Sequence, residues 1–249
     1  MSKEKRGGVG ETIRTIVYAV LIAVAIRTFA FEPFNIPSES MLPTLLVGDY
    51  LFVSKFSYGY SRHSLPFSLP LFSGRIFSRK PERGDVAVFK LPRDNTTDYI
   101  KRIIGLPGDR IQMRRGQLFI NDEPIPREKV ADFDHRDRYG SRVLSPQYRE
   151  TLPNGVSYRT LDLRTNGPSD DTGVYTVPPG HYFLMGDNRD NSLDSRVAAN
   201  RGGVGYVPAE NLVGRAEILF FSTDGGARFW QVWNWFGSIR YQRLLQTIH

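Results

Sequence analysis

Apolar and polar positions follow two regimes along this chain. Ile16–Ile26 reads IVYAVLIAVAI, eleven apolar positions without a charge; Arg27 and Thr28 interrupt it, and Phe29, Ala30 and Phe31 resume it. At ~1.5 Å per residue a helix over Thr15–Phe31 is roughly 25 Å long, slightly short of a ~30 Å hydrocarbon core. The run is apolar all round, which argues against a core helix with one polar face. A cleaved leader shares this pattern, but Arg27 and the bulky Phe29–Phe34 stretch make a poor small-residue cleavage site. We therefore expect residues 15–31 to be a transmembrane anchor. Lys3, Lys5, Arg6 and Arg14 precede it against Glu4 and Glu11. The positive-inside rule then assigns residues 1–14 to the cytoplasm and everything after Phe31 to the outside.

Beyond residue 31 the pattern changes to short apolar runs between turn signals. Strands are predicted at Tyr50–Val53, Val86–Phe89, Tyr99–Ile104, Ile111–Met113, Gln117–Ile120, Tyr182–Met185 and Glu217–Phe221. Arg114-Arg115-Gly116 reads as the turn of a hairpin. Helical periodicity is hard to find, so the fold class is mainly β, preceded by one N-terminal helix. Residues 32–109 and 181–226 form the expected core, interrupted by an extended loop at 56–81 and a β-rich accessory lobe at 110–180. Residues 227–249 carry Trp230, Trp233, Trp235 and Phe236, then Arg240 and Arg243. Two readings of this segment stand side by side, a membrane-interface element and a terminal helix packed on the β core.

Composition narrows the chemistry. The 249 residues carry no cysteine, which excludes a disulfide framework, a Cys₄ zinc site and a thiol nucleophile. The formal charge of +7 suggests an anionic partner, nucleic acid or a lipid surface. The arginines are scattered and no RNA-reading aromatic motif is present, so no nucleic-acid partner is expected.

Three segments carry candidate chemistry. In Pro37-Ser38-Glu39-Ser40-Met41-Leu42-Pro43-Thr44-Leu45 two prolines stiffen a short stretch. Residues i and i+2 of an extended chain point the same way, so Ser38 and Ser40 can present both hydroxyls to one site, one as nucleophile and one as donor. A serine needs a base. The four histidines lie in loops, before a strand or at the terminus, and no Gly-x-Ser-x-Gly elbow exists. Lysine is the alternative. In Asp98–Ile104 alternation sets Lys101 between Tyr99 and Ile103 on one face, with Ile100, Arg102 and Ile104 on the other. If that face is buried, the ammonium loses its preference for charge and the amine becomes a competent base; otherwise Lys101 is a solvated charge. The third segment, Gly186–Arg196, is dense in short polar residues. Arg189 and Ser192 stand at positions that rule out a Ca²⁺ loop, leaving a hydrogen-bonded scaffold with Asp194 and Arg196 as a candidate ion pair.

Taken in order, Pro-Ser-x-Ser-Met-x-Pro-Thr-Leu (37–45), Arg-Gly-Asp-Val-Ala-Val-Phe-Lys (83–90), Tyr-Ile-Lys-Arg-Ile-Ile-Gly-Leu-Pro-Gly-Asp (99–109) and Gly-Asp-Asn-Arg-Asp-Asn-Ser-x-Asp-Ser-Arg (186–196) resemble the motifs of bacterial type I signal peptidase. They cover about a quarter of the chain, and their joint order is far more specific than any one of them. The resemblance implies a membrane-anchored serine endopeptidase that removes signal peptides from exported preproteins after an Ala-x-Ala-like site, at the external face of the bacterial inner membrane. It implies Ser40 as nucleophile, Lys101 as general base, and Ser38 as oxyanion donor with the Ser40 N–H. Ser192 would orient the lysine, with Asp194 and Arg196 in support. Phe34, Ile36, Met41, Leu45, Tyr99 and Ile100 would line shallow pockets for small substrate side chains. Expected partners are preproteins and the phospholipid membrane; no cofactor or metal is called for, and a monomer is expected. Two departures stand out: Val197–Gly205 replaces a shorter link, and the accessory lobe lacks the disulfide some relatives carry. Self-cleaving repressors use a similar Ser/Lys pair but carry a DNA-binding domain where this chain has the apolar run. A non-enzymatic anchored binding protein would not need Ser38, Ser40, Lys101 and Ser192 together.

Overall fold

The computed structural model describes residues 9–65, 68–136, 141–225 and 236–248. Lys3, Lys5, Arg6, Trp230, Trp233 and Trp235 lie outside the described residues.

The apolar run is one helix, Val9–Phe29. It starts six residues before the sequence-based boundary, because Gly10, Glu11, Thr12 and Arg14 continue its backbone ladder without adding to the apolar run. Its 21 residues span roughly 31 Å, long and apolar enough to cross a membrane. The helix ends before the boundary expected at residue 31: Phe31 already belongs to a strand, paired with Ser54.

A seven-stranded antiparallel sheet forms the body. Its strand order is Phe31–Asn35, Asp49–Ser54, Leu212–Ser222, Val86–Lys90, Asp98–Gly105, His181–Met185 and Val207–Pro208. Each predicted core strand falls inside one of these. Phe31–Asn35 escaped prediction because it continues the aromatic end of the apolar run and contains Pro33; as the sheet's edge strand it tolerates a residue without an N–H. Leu212–Ser222 begins five residues before the predicted Glu217. Register shifts interrupt its pairing at three places, so its alternation is not continuous. Gly214 lies against the Ser54 carbonyl, where a Cβ would collide.

The 110–180 region is β-rich as expected, with a four-stranded sheet, a three-stranded sheet and a hairpin, Phe133–Arg136 with Arg142–Ser145. The turn of the predicted Ile111–Ile120 hairpin holds Arg115 and Gly116 at φ +48° and +73°, the geometry that joins two twisted strands in two residues. This region does not enclose a core of its own. Ile111, Met113, Leu118, Ile120, Leu152 and Val177 pack onto Ile104, Phe183 and Met185 of the large sheet, so burial against that sheet holds the region without a disulfide. Within 56–81, Tyr60–Ser61 pairs with Arg75–Ile76, and Leu71 and Phe77 are exposed.

Candidate active site

Ser40 sits in a one-turn 3₁₀ helix, Glu39–Met41, entered from Ser38 in extended conformation (φ −129°, ψ 157°). The turn follows the edge strand and leads into the next strand at Asp49. The Ser40 Oγ is 3.3 Å from the Ser38 Oγ and accepts a 2.6 Å hydrogen bond from Lys101 Nζ. Lys101 lies on the Asp98–Gly105 strand with its side chain buried. Its Nζ also donates to the Ile100 carbonyl at 2.9 Å and lies 5.4 Å from the centre of the Tyr99 ring. Burial lowers its pKa from 10.5 to about 8; the carboxylates of Asp194 and Asp187 oppose this without cancelling it. A hydroxyl held on an amine that is partly neutral near pH 8 is an activated nucleophile.

The polar loop 186–196 locks this pair from below. Its Asn188 N–H donates to the Ser40 carbonyl at 3.1 Å, and its Asn188 side chain to the Glu39 carbonyl at 3.0 Å. Asn191 reaches the Glu39 carboxylate at 3.1 Å. Asp187 accepts two hydrogen bonds from the fully buried Arg102, at 2.9 and 2.8 Å, and a third from the Thr44 hydroxyl. Arg102, on the other face of the Lys101 strand, is thus tied to the polar loop that also holds the Ser40 turn. Arg196 donates twice to Asp194, both at 2.9 Å, and the Gly186 N–H adds a third contact. Burial alone would raise the Asp194 carboxyl, but the Arg196 guanidinium holds it below its ordinary value. A further buried pair, Arg189 with Glu150, joins the loop to the accessory strands. The Val197–Gly205 insertion folds onto itself through Gly205 N–H to Val197 O and leaves the Asp194–Arg196 pair intact.

A cleft of about 810 Å³ opens over the two side chains. It is lined by Phe34–Ser38, Ser40, Val88, Thr97–Lys101 and Asp190–Leu193. Phe34, Ile36, Ser38, Ser40, Tyr99, Ile100, Lys101 and Ser192 all line it. Met41 and Leu45 do not. Both are fully buried, packed in one hydrophobic cluster with Leu51, Val53 and Leu219. Ser192 lines the cleft but makes no hydrogen bond to the lysine: Lys101 Nζ donates to Ser40 and Ile100 instead. Gly186 explains the closeness of the packing. A Cβ there would meet the Ser192 Oγ, and would stand 2.5 Å from both the Ser192 Cβ and the Ser40 carbonyl.

Sequence reasoning missed Arg102, Thr44, Asp187 and Glu150 as supports. Their pairings span up to 143 positions, and no local pattern marks which arginine meets which carboxylate. One group of carboxylates among the described residues, Asp162, Asp170 and Asp190, is close enough to bracket a cation. One oxygen of each carboxylate is taken by a protein donor: Arg127 on Asp162, the Gly167 N–H on Asp170, and the Leu163 and Arg164 N–H groups on Asp190, while Asp162 Oδ1 has no hydrogen-bond partner among the described residues.

The model of the family described as "Signal peptidase, peptidase S26" matches residues 9–221, which include the helix, both halves of the sheet and every residue of the cleft. This chain belongs to that family. Among its relatives, signal peptidase I of Rickettsia typhi is 40% identical over 260 residues, covering 97% of this chain and 94% of the relative. Signal peptidase I of Rickettsia rickettsii is 44% identical over 217 residues, covering 84% and 78%. A crystal structure of a signal peptidase I from Enterococcus faecalis is 26% identical, with a TM-score of 0.31, and covers 55% of this chain and 97% of its own. Membership of this peptidase family makes the chain a protease.

Proposed function

We propose that this S26 peptidase removes signal peptides from exported preproteins after an Ala-x-Ala-like site, with Ser40 as nucleophile and Lys101 as general base. The observation that carries the reading is the 2.6 Å contact between a buried lysine amine and the Ser40 hydroxyl. Neutral Lys101 takes the Ser40 proton as Oγ attacks the scissile carbonyl carbon. The oxyanion is met by the Ser38 hydroxyl and the Ser40 N–H. The lysinium then protonates the leaving amine, and the signal peptide remains as an ester on Ser40. Lys101 next deprotonates a water that attacks this ester, and the proton it gains returns to Ser40 Oγ as the carboxylate product leaves.

Substrate choice follows from the cleft walls. An extended peptide between Phe34–Ser38 and Thr97–Lys101 turns alternate side chains to one side. The shallow spaces beside Phe34, Ile36, Tyr99 and Ile100 then suit small residues at positions −1 and −3. The Val9–Phe29 helix acts as the anchor, with the N-terminus cytoplasmic and the β body on the external face of the inner membrane. There it meets preproteins as they emerge. Mass spectrometry of a preprotein cleaved by the detergent-solubilised protein tests the reading. A single cut after Ala-x-Ala, lost when the −1 alanine becomes tryptophan, is expected. A cut elsewhere, or indifference to that substitution, refutes it.

A further inference from the structure

The segment Arg240–Ile248 lies far from Ser40 in sequence but holds the chain that leaves the nucleophile turn. Arg243 donates to the Thr44 carbonyl at 3.0 Å and, through Nε and Nη2, to both oxygens of Asp49 at 3.0 and 2.6 Å. Asp49 is completely buried; its carboxylate also accepts the Leu46 N–H at 2.7 Å and the Ser222 hydroxyl at 2.6 Å. Arg240 adds a bond to the Val47 carbonyl at 2.9 Å. The stretch 44–49 is thus fastened at four successive places. Thr44 is the junction, because its hydroxyl donates to Asp187, the carboxylate held by Arg102 on the Lys101 strand. The segment is seated on the sheet by backbone bonds from Leu245 N–H to Leu219 O and from Ile248 N–H to Glu217 O. Ile248 packs on the cluster that contains Met41 and Leu45.

Resting on the Ser40–Lys101 reading, we propose that Arg240–Ile248 is a strap that fixes the nucleophile turn, and that Arg243 is a positioning residue for Ser40. Arg243 touches neither substrate nor the reacting atoms. Two parallel donors to Asp49 and a third contact to Thr44 O need the guanidinium fork; an ammonium cannot reproduce them. Without them Asp49 keeps its buried charge with fewer partners, and the 44–49 stretch loses its fixed path. A displacement of about 1 Å at a reacting atom costs on the order of 100-fold in rate.

The test is steady-state kinetics of full-length Arg243→Ala in detergent on a peptide with an Ala-x-Ala site. A kcat lowered about 10- to 100-fold with KM little changed, and partly restored by millimolar methylguanidinium, is the expected result. Unchanged kcat, or a loss that follows KM and thermal stability without rescue, overturns the proposal. If Arg243→Ala does not fold, Arg243→Lys is read by kcat and KM alone: lowered kcat with KM kept supports the strap, full activity overturns it. An inactive wild-type protein would refute the functional reading itself; an active wild type with an unaffected variant refutes the strap alone.

Discussion

Replacing Lys101 by methionine is expected to abolish cleavage and stabilise the fold at neutral pH, and both effects have one cause. The lysine is buried, and burial lowers its pKa from 10.5 to about 8. At pH 7 the folded protein therefore holds a charged ammonium that the unfolded chain would solvate better, a difference of roughly 3 kcal/mol against folding. Methionine fills similar space without the charge. It forfeits the bonds to Ser40 Oγ and to the Ile100 carbonyl, worth about 1 kcal/mol each, so the net gain is roughly 1 kcal/mol. The sign with pH is fixed. Between pH 8 and 10.5 the unfolded state binds more protons than the folded one, so wild-type stability rises through that window and the advantage of the variant fades. Under the proposed mechanism the same titration governs activity. Below pH 8 the neutral amine falls about tenfold per pH unit, and kcat/KM should fall with it, levelling above pH 8. Urea denaturation of wild type and Lys101→Met at pH 7 and pH 10.5, with a pH–rate profile of the wild type, measures both. A variant less stable than wild type at pH 7, or a rate flat from pH 6 to 9, would refute the reasoning.

Other expectations rest on separate contacts. Gly186→Ala places a methyl against Ser192 and the Ser40 carbonyl; it should cost about 1–3 kcal/mol of stability and lower kcat more than it raises KM, read by thermal unfolding and steady-state kinetics. Glu150→Gln leaves the buried Arg189 guanidinium without its countercharge; a loss of about 3–5 kcal/mol in denaturant unfolding is expected, with no such loss for Arg142→Gln in an exposed pair. Ile100→Ala enlarges the cleft wall, so the penalty for valine or leucine at position −1 of a peptide substrate should shrink, measured as a ratio of kcat/KM values.

Much of this site was legible from local pattern alone. Strand alternation put Lys101 between Tyr99 and Ile103, and in the structure it is buried beside the Tyr99 ring. The hydroxyls of the proline-flanked serines do approach each other, but through a 3₁₀ turn at Ser40 and not through the extended chain that i and i+2 spacing assumes. The Asp194–Arg196 pair was readable because its partners are two residues apart. What stayed hidden was long-range. Alternation places Arg102 on the opposite face from Lys101 but says nothing of its partner, Asp187, which lies 85 positions away. Glu150 gave no sign of pairing with Arg189, since the accessory strands look like exposed polar sequence. The resemblance places Met41 and Leu45 at the cleft, whereas both side chains are fully buried in the core cluster with Leu51 and Val53. Arg243 was set among the edge residues of an aromatic segment; its carboxylate partner is 194 positions earlier.

The central claim is that Ser40 and Lys101 act together on the scissile bond. The most direct measurement is the cleavage rate of an Ala-x-Ala preprotein by purified Ser40→Ala and Lys101→Ala, each shown by circular dichroism to keep the β fold. The account predicts that each loses at least about 1,000-fold in rate, and that the double variant loses no more than either alone. Near-normal cleavage by Lys101→Ala, or losses in the two variants that multiply, would contradict it.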